Sequence, residues 1–293
     1  MQSEGSGATR SSLRTGSAAD GEPVDMSFLR GGSGKPVVLL HGFASNAQED
    51  WIDTGWFEGL TALGHDVVAP DLRGHGLSFK SHNPADYTLS TFTADVLALC
   101  NACWADKALG LVGYSMGAHV AMSSAMAIPD RIASIVLGGM GDRIAATVGL
   151  APEFADALDI EAAQIGKGGA QLPDYAVRFR QHAASRPFND LRALAACLRG
   201  QSCVFDLAGL AVVQAPTLVL AGEKDKLAGS PYRVAALFPK GIGGKSPGVS
   251  HASALANHAF RSRAIVHLDA TSLNAWGQSQ NDERNNNKQA RDA

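Results

Sequence analysis

This chain of 293 residues carries little net charge: 25 Lys and Arg stand against 28 Asp and Glu, a formal net of −3. That balance leaves no basic footprint for a phosphate backbone, which argues against a nucleic-acid partner, and no strong acidic field. No apolar run approaches the roughly 20 residues that a membrane-spanning helix needs. Residues 1–20 are rich in Ser, Gly, Ala and Thr and lack the apolar stretch of a secretory signal. Cysteines number only four. Cys100 and Cys103 form a C-x-x-C inside a helical pattern, with no second pair to complete a metal site, so they read as ordinary helix residues. Cys197 and Cys203 read as free thiols, as a reducing compartment favours. These shortages lead to the expectation of a cytoplasmic protein that holds no metal.

Hydrophobic residues make up 45% of the chain, enough for one large α/β domain with an inserted subdomain. Short apolar runs at 36–40, 66–69, 108–112, 132–137 and 215–221 read as strands buried on both faces. Helical patterns at 56–63, 87–100 and 118–127 fall between them, and residues 24–29 suggest an early strand. Strands alternating with helices predict a mostly parallel, doubly wound sheet. Residues 142–214 break that rhythm and are too long for a connection. They contain helical patterns at 153–165, 174–184 and 190–198, and read as a helical cap over the ligand-binding edge of the sheet. Residues 1–20 and 271–293 are polar enough to predict disorder. The core is then expected in residues 21–141 and 215–270.

One segment carries chemistry. Leu111-Val112-Gly113-Tyr114-Ser115-Met116-Gly117 reads Gly-x-Ser-x-Gly between a strand and a helix. Glycines on either side let the chain turn sharply and push Ser115 out at the strand's end, with the Met116 N–H at a helix N-terminus. A serine so placed is a candidate nucleophile, and that N–H a candidate donor to developing negative charge.

Five segments in this order resemble the α/β-hydrolase fold family in its capped form. They are His41-Gly42-Phe43, the run from Asp71 to Ser78, the elbow at Ser115, Gly222-Glu223-Lys224-Asp225, and the run from Pro247 to His251. The likeness covers roughly residues 24–268. It implies that Ser115, Asp225 and His251 form a triad, with Asp142 as the rival acid and Glu223 a weaker one. His41 and His75 are then expected to hold loops. The second oxyanion donor is expected at the Phe43 N–H. Phe43, Tyr114, Met116 and Met140 are expected to line an apolar pocket, with Phe154, Leu158 and Phe179 as candidates from the cap.

The implied activity is hydrolysis of a carboxylic ester of a small to medium apolar small molecule through an acyl-enzyme, with no cofactor, by a monomer or homodimer. Thioester, lactone or C–C hydrolysis, acyl transfer and perhydrolysis stay open, as does a non-catalytic ligand-binding role. Serine at the elbow argues against the epoxide-hydrolase and dehalogenase branches, which place Asp there. One departure is the Gly-rich stretch 239–246 before His251, which predicts a smaller or frayed sheet edge.

Overall fold

A computed structural model describes residues 7–160 and 172–271. Its frame is an eight-stranded sheet in the order β1-β2-β4-β3-β5-β6-β9-β10. The strands are β1 (Thr9–Ser17), β2 (Pro23–Gly32), β3 (Lys35–Leu40), β4 (His65–Pro70), β5 (Leu109–Tyr114), β6 (Ile132–Gly138), β9 (Thr217–Gly222) and β10 (Gly241–Ser246). From β4 to β10 every pairing is parallel, while β1 and β2 run antiparallel. A two-residue ribbon, β7 (Thr147–Val148) with β8 (Cys203–Val204), lies apart.

The apolar strands are two-faced, as the period of two demands. Val37 and Leu39 of β3 join one apolar cluster, and Val38 and Leu40 join the other. Helix α1 (Trp56–Ala62) and helix α8 (residues 258–271) cover the first face through Trp56, Phe57, Phe260 and Ile265. Helices α2 (Leu89–Trp104), α3 (Met116–Ala127) and α7 (Pro231–Ala235) cover the second. The chain leaves β3 toward β4 on one side and reaches β5 on the other, so the strand order reverses between β3 and β5. Ligand sites of open α/β sheets lie at such a reversal.

Two expectations are corrected. Residues 9–17 were expected to be disordered but form edge strand β1. Its side chains are mostly exposed, so apolar patterning gives no sign of it. Pairing along β2 orders it, together with Arg10 Nη1 on Asp71 Oδ2 at 2.9 Å and Thr15 Oγ1 on Asp95 Oδ1 at 2.5 Å. At the other edge, β10 pairs with β9 over all six residues rather than fraying. Its glycines let neighbours pack directly on the strand backbone: a Cβ on Gly243 would lie 2.7 Å from the Tyr232 ring, and one on Gly244 would meet the Arg263 guanidinium.

Between β6 and β9 the chain forms α4 (Pro152–Asp159), α5 (Asp174–Ala184) and α6 (Leu191–Gln201). They share an apolar cluster that also takes in Phe43 and Ala44 from the loop after β3. The latter part of the helix expected at 153–165, and the tail beyond residue 271, lie outside the described residues. No helix among the described residues is long and apolar enough to cross a membrane.

Arg73, 3% exposed, donates to both oxygens of Asp95 at 2.8 and 2.9 Å and to the Asp86 carbonyl at 3.1 Å. Removing one partner of such a pair leaves a buried charge uncompensated. Arg73→Met should cost about 3–5 kcal/mol, read as a fall in the urea midpoint, and Arg73→Met/Asp95→Leu should recover most of it.

Candidate active site

Ser115 sits at the bend between β5 and α3 with φ 52° and ψ −111°, a conformation that side chains rarely adopt. Backbone packing imposes it. A Cβ on Gly117 would meet the Leu40 carbonyl oxygen, and one on Gly113 would meet the Gly117 carbonyl and, at 2.6 Å, the Ala118 Cα. The first turn of α3 therefore lies against the end of β3, with no room for a side chain at either glycine. Ser115 is anchored by its own N–H, which donates to the Gly138 carbonyl at 2.9 Å.

His251 Nε2 lies 3.1 Å from Ser115 Oγ, and His251 Nδ1 lies 2.8 Å from Asp225 Oδ2. An ionised carboxylate only accepts, so Nδ1 carries the proton toward Asp225 and Nε2 is left to accept from the Ser115 hydroxyl. Asp225 is 4% exposed, and its other oxygen accepts from the Ala228 and Leu227 N–H groups at 2.8 and 3.1 Å. Burial pushes this carboxyl up, but His251 and the two amides outweigh it and hold it below the usual range. Asp142 is engaged elsewhere: it accepts from the Ser230 N–H at 2.8 Å and faces Arg233 at 3.4 Å. Glu223 accepts from the Gly248 N–H. Of the three carboxylates weighed from the sequence, Asp225 is the one that meets His251.

His251 follows the glycine-rich strand, yet its loop is held by cross-ties. The Glu223 N–H donates to the Ser246 carbonyl at 2.9 Å and the Lys224 N–H to the Val249 carbonyl at 2.8 Å. The Tyr114 hydroxyl donates to the His251 carbonyl, and the two rings pack at 5.2 Å. Two other histidines pin loops beside the site. His41 Nδ1 donates to the Gly42 carbonyl while its Nε2 accepts from the Leu72 N–H; His75 Nδ1 meets the Arg73 carbonyl. Burial lowers them to about 4 and about 3 respectively, so both stay neutral.

A cavity of about 390 Å³ opens over Ser115, and Phe43, Tyr114 and Met116 line it. The N–H groups of Phe43 and Met116 have no hydrogen-bond acceptor among the described residues. Met140 does not line the cavity. The chain turns at Gly139, φ 58°, beneath the Tyr114 and His251 rings, and Met140 joins the apolar core behind them. Of the three candidates from residues 142–214, Phe179 reaches the cavity, while Phe154 and Leu158 pack within the apolar cluster of α4, α5 and α6.

Sequence reading passed over several wall residues. His119 stands one helical turn beyond Ser115, a spacing that places both on one face of α3. Burial lowers it to about 4. Asp50, Arg186 and Gln201 also line the cavity, and no local pattern marks them. Asp50 supports the loop after β3: its Oδ2 accepts from the Gly42 N–H at 2.8 Å and its Oδ1 from the Ser45 hydroxyl at 2.5 Å.

A family model described as alpha/beta hydrolase fold matches residues 35–194. Epoxide hydrolase B of Mycobacterium tuberculosis is 38% identical over 106 residues, which make up 35% of this chain and 28% of that protein. The matches with curated relatives of this kind thus span about a third of those proteins' length. Among solved structures, a bromoperoxidase from Bacillus anthracis superposes with a TM-score of 0.68 at 20% identity, covering 89% of this chain and 99% of that one. A thermophilic esterase from Thermogutta terrifontis gives 0.64 at 23% identity, covering 92% and 98%. These structural likenesses speak to the fold alone.

Desolvation raises Asp50 to about 6 despite its hydrogen bonds and the nearby Arg186 charge. The folded state then holds a proton that the unfolded state has released, so stability from this group is lost as pH rises from about 4 through about 6. Asp50→Asn keeps an acceptor for the Gly42 N–H without the charge. The difference in urea midpoint between variant and native protein should therefore shift toward the variant as pH rises from 4 to 7. A difference that is flat in pH would contradict this assignment.

Proposed function

This chain belongs to the α/β-hydrolase fold family, and on that premise we propose that it is a serine hydrolase cleaving a carboxylic ester of a small to medium apolar substrate. The observation that carries the reading is the relay Ser115–His251–Asp225, with spacings of 3.1 and 2.8 Å, at the floor of a largely apolar cavity. Ser115 Oγ attacks the ester carbonyl carbon while His251 Nε2 takes its proton. The carbonyl oxygen gains negative charge and is met by the Phe43 and Met116 N–H groups. Collapse breaks the bond to the alkoxy oxygen, which leaves with the proton from His251. Water, deprotonated by His251, then attacks the acyl-enzyme, and Ser115 recovers its proton. Asp225 holds the imidazole orientation and stabilises its charged form. The cycle needs no cofactor.

The epoxide hydrolases among the relatives raise a second reading, and the elbow residue opposes it. A serine oxygen that opened an epoxide would form an ether, which has no carbonyl for water to attack, and turnover would stop after one event. Thioesters and lactones share the ester chemistry and fall within the proposal's reach.

Ser115→Ala should lower kcat for p-nitrophenyl butyrate by about five to six orders of magnitude, with an unchanged circular-dichroism spectrum. His251→Ala added to it should cost almost nothing further, because the groups act as a unit. A fluorophosphonate probe should label the native protein and spare Ser115→Ala. An unlabelled native protein would favour a binding role on this fold.

We take residues 142–214 as a cap that sets substrate choice. Phe179 stacks on Phe43 at 5.8 Å and borders the cavity. Phe179→Ala should shift the preferred p-nitrophenyl ester toward longer acyl chains, read as kcat/KM across the acetate-to-octanoate series.

A further inference from the structure

Two side chains between α5 and α6 converge on one carbonyl of the loop after β3. Arg186 Nη1 donates to the Ala44 carbonyl oxygen at 2.7 Å, and Asn189 Nδ2 donates to the same oxygen at 3.0 Å. Arg186 Nε also pairs with Glu49 Oε2 at 2.7 Å. The turn that carries both residues is closed on itself: Asn189 Nδ2 reaches the Ala183 carbonyl at 3.1 Å, and the Asn189 N–H reaches the Arg186 carbonyl at 3.2 Å.

Their target is unusual. Ala44 has φ 57°, a left-handed conformation that an L-residue with a Cβ adopts only at an energetic cost. It is 2% exposed and follows Phe43 directly. From the other side, Asp50 holds the Gly42 N–H and the Ser45 hydroxyl. Residues 42–45 are thus pinned below by Asp50 and above by the cap. The Gly42–Phe43 peptide, whose N–H has no acceptor among the described residues, lies between the pins.

We propose that Arg186 and Asn189 are positioning residues: they hold Ala44 in its left-handed conformation and so aim the Phe43 N–H at the reacting oxygen. The inference rests on the serine-hydrolase reading of this site. Without the two donors, Ala44 relaxes toward an unstrained conformation and the Phe43 amide swings with it. With both donors in place, cap and oxyanion loop act as one body, and the cap governs rate as well as substrate fit.

Arg186 also lines the cavity, so a direct contact with substrate must be told apart from positioning. Arg186→Gln and Asn189→Ala should each lower kcat for both p-nitrophenyl acetate and p-nitrophenyl butyrate by about 10- to 100-fold, with KM changed less than about 3-fold. Ala44→Gly introduced into Arg186→Gln should restore most of the lost kcat, because glycine takes φ 57° without strain. A rise in KM for one ester with kcat unchanged would make Arg186 a substrate contact and overturn the proposal. So would a kcat loss that Ala44→Gly leaves unrestored while thermal stability falls in step. Should Arg186→Gln fail to fold, Asn189→Ala and its Ala44→Gly double variant give the same readouts. Fluorophosphonate labelling separates the two levels. A native protein that does not label removes the serine-hydrolase reading and the clamp together. A native protein that labels, with Arg186→Gln labelling equally fast, removes the clamp alone.

Discussion

The contact between the first turn of α3 and the end of β3 is the constraint on which this site rests. Gly117 faces the Leu40 and His41 carbonyl oxygens with no side chain between. That approach bends the chain through a left-handed Ser115, drives its hydroxyl above the sheet, and sets the Met116 N–H beside the loop that follows β3. A methyl group at either elbow glycine would separate helix from strand, and the serine, the candidate oxyanion donors and the cavity floor would lose their common origin.

The histidine arm obeys a different logic. Its strand is poor in apolar side chains, so burial contributes little to holding it. Backbone pairing with β9 and the ties between the loops after β9 and β10 take over that task. At Gly243 glycine then becomes a requirement rather than a weakness, since the Tyr232 ring and backbone occupy the space where a side chain would stand. Asp225 gains from the same loop geometry: two backbone N–H groups offset the desolvation of its charge and leave His251 facing a fixed anion.

The walls of the cavity come from several separate stretches of chain, among them 42–54, 114–119, 144–150, 179–201 and 251–256, and charge is arranged unevenly around them. Neutral, buried His41 and His75 serve as hydrogen-bonded braces. Asp50 stands at the cavity wall with a raised pKa, and its hydrogen bonds shape the loop that carries Phe43. The stack of Phe43 on Phe179, and the edge-to-face contact of Phe179 with Phe154 at 4.9 Å, join the loop to α5 and α4 through apolar contact as well as through Arg186.

Much of the frame was legible before folding. Buried parallel strands are continuous apolar runs, and the elbow needs two glycines around a serine, so both are written locally. The chain order of Ser115, Asp225 and His251 was legible through family resemblance, and the geometry brings those three side chains together. Edge strand β1 was not legible, because an exposed strand ordered by pairing and ion pairs has no apolar period to read. Met140 was misplaced because the turn at Gly139 decides which way the next side chain points, and a string of residues does not record that. Asp50, Arg186 and Asn189 were invisible for a related reason. Their partners lie in backbone atoms of Gly42 and Ala44, and every residue has such atoms. The sequence by itself determined the layers, the elbow and the candidate nucleophile, since these depend on neighbours along the chain. Only the tertiary structure decided which carboxylate meets His251, which residues of α4 to α6 meet the cavity and what holds the loop after β3, since those depend on contacts between distant segments.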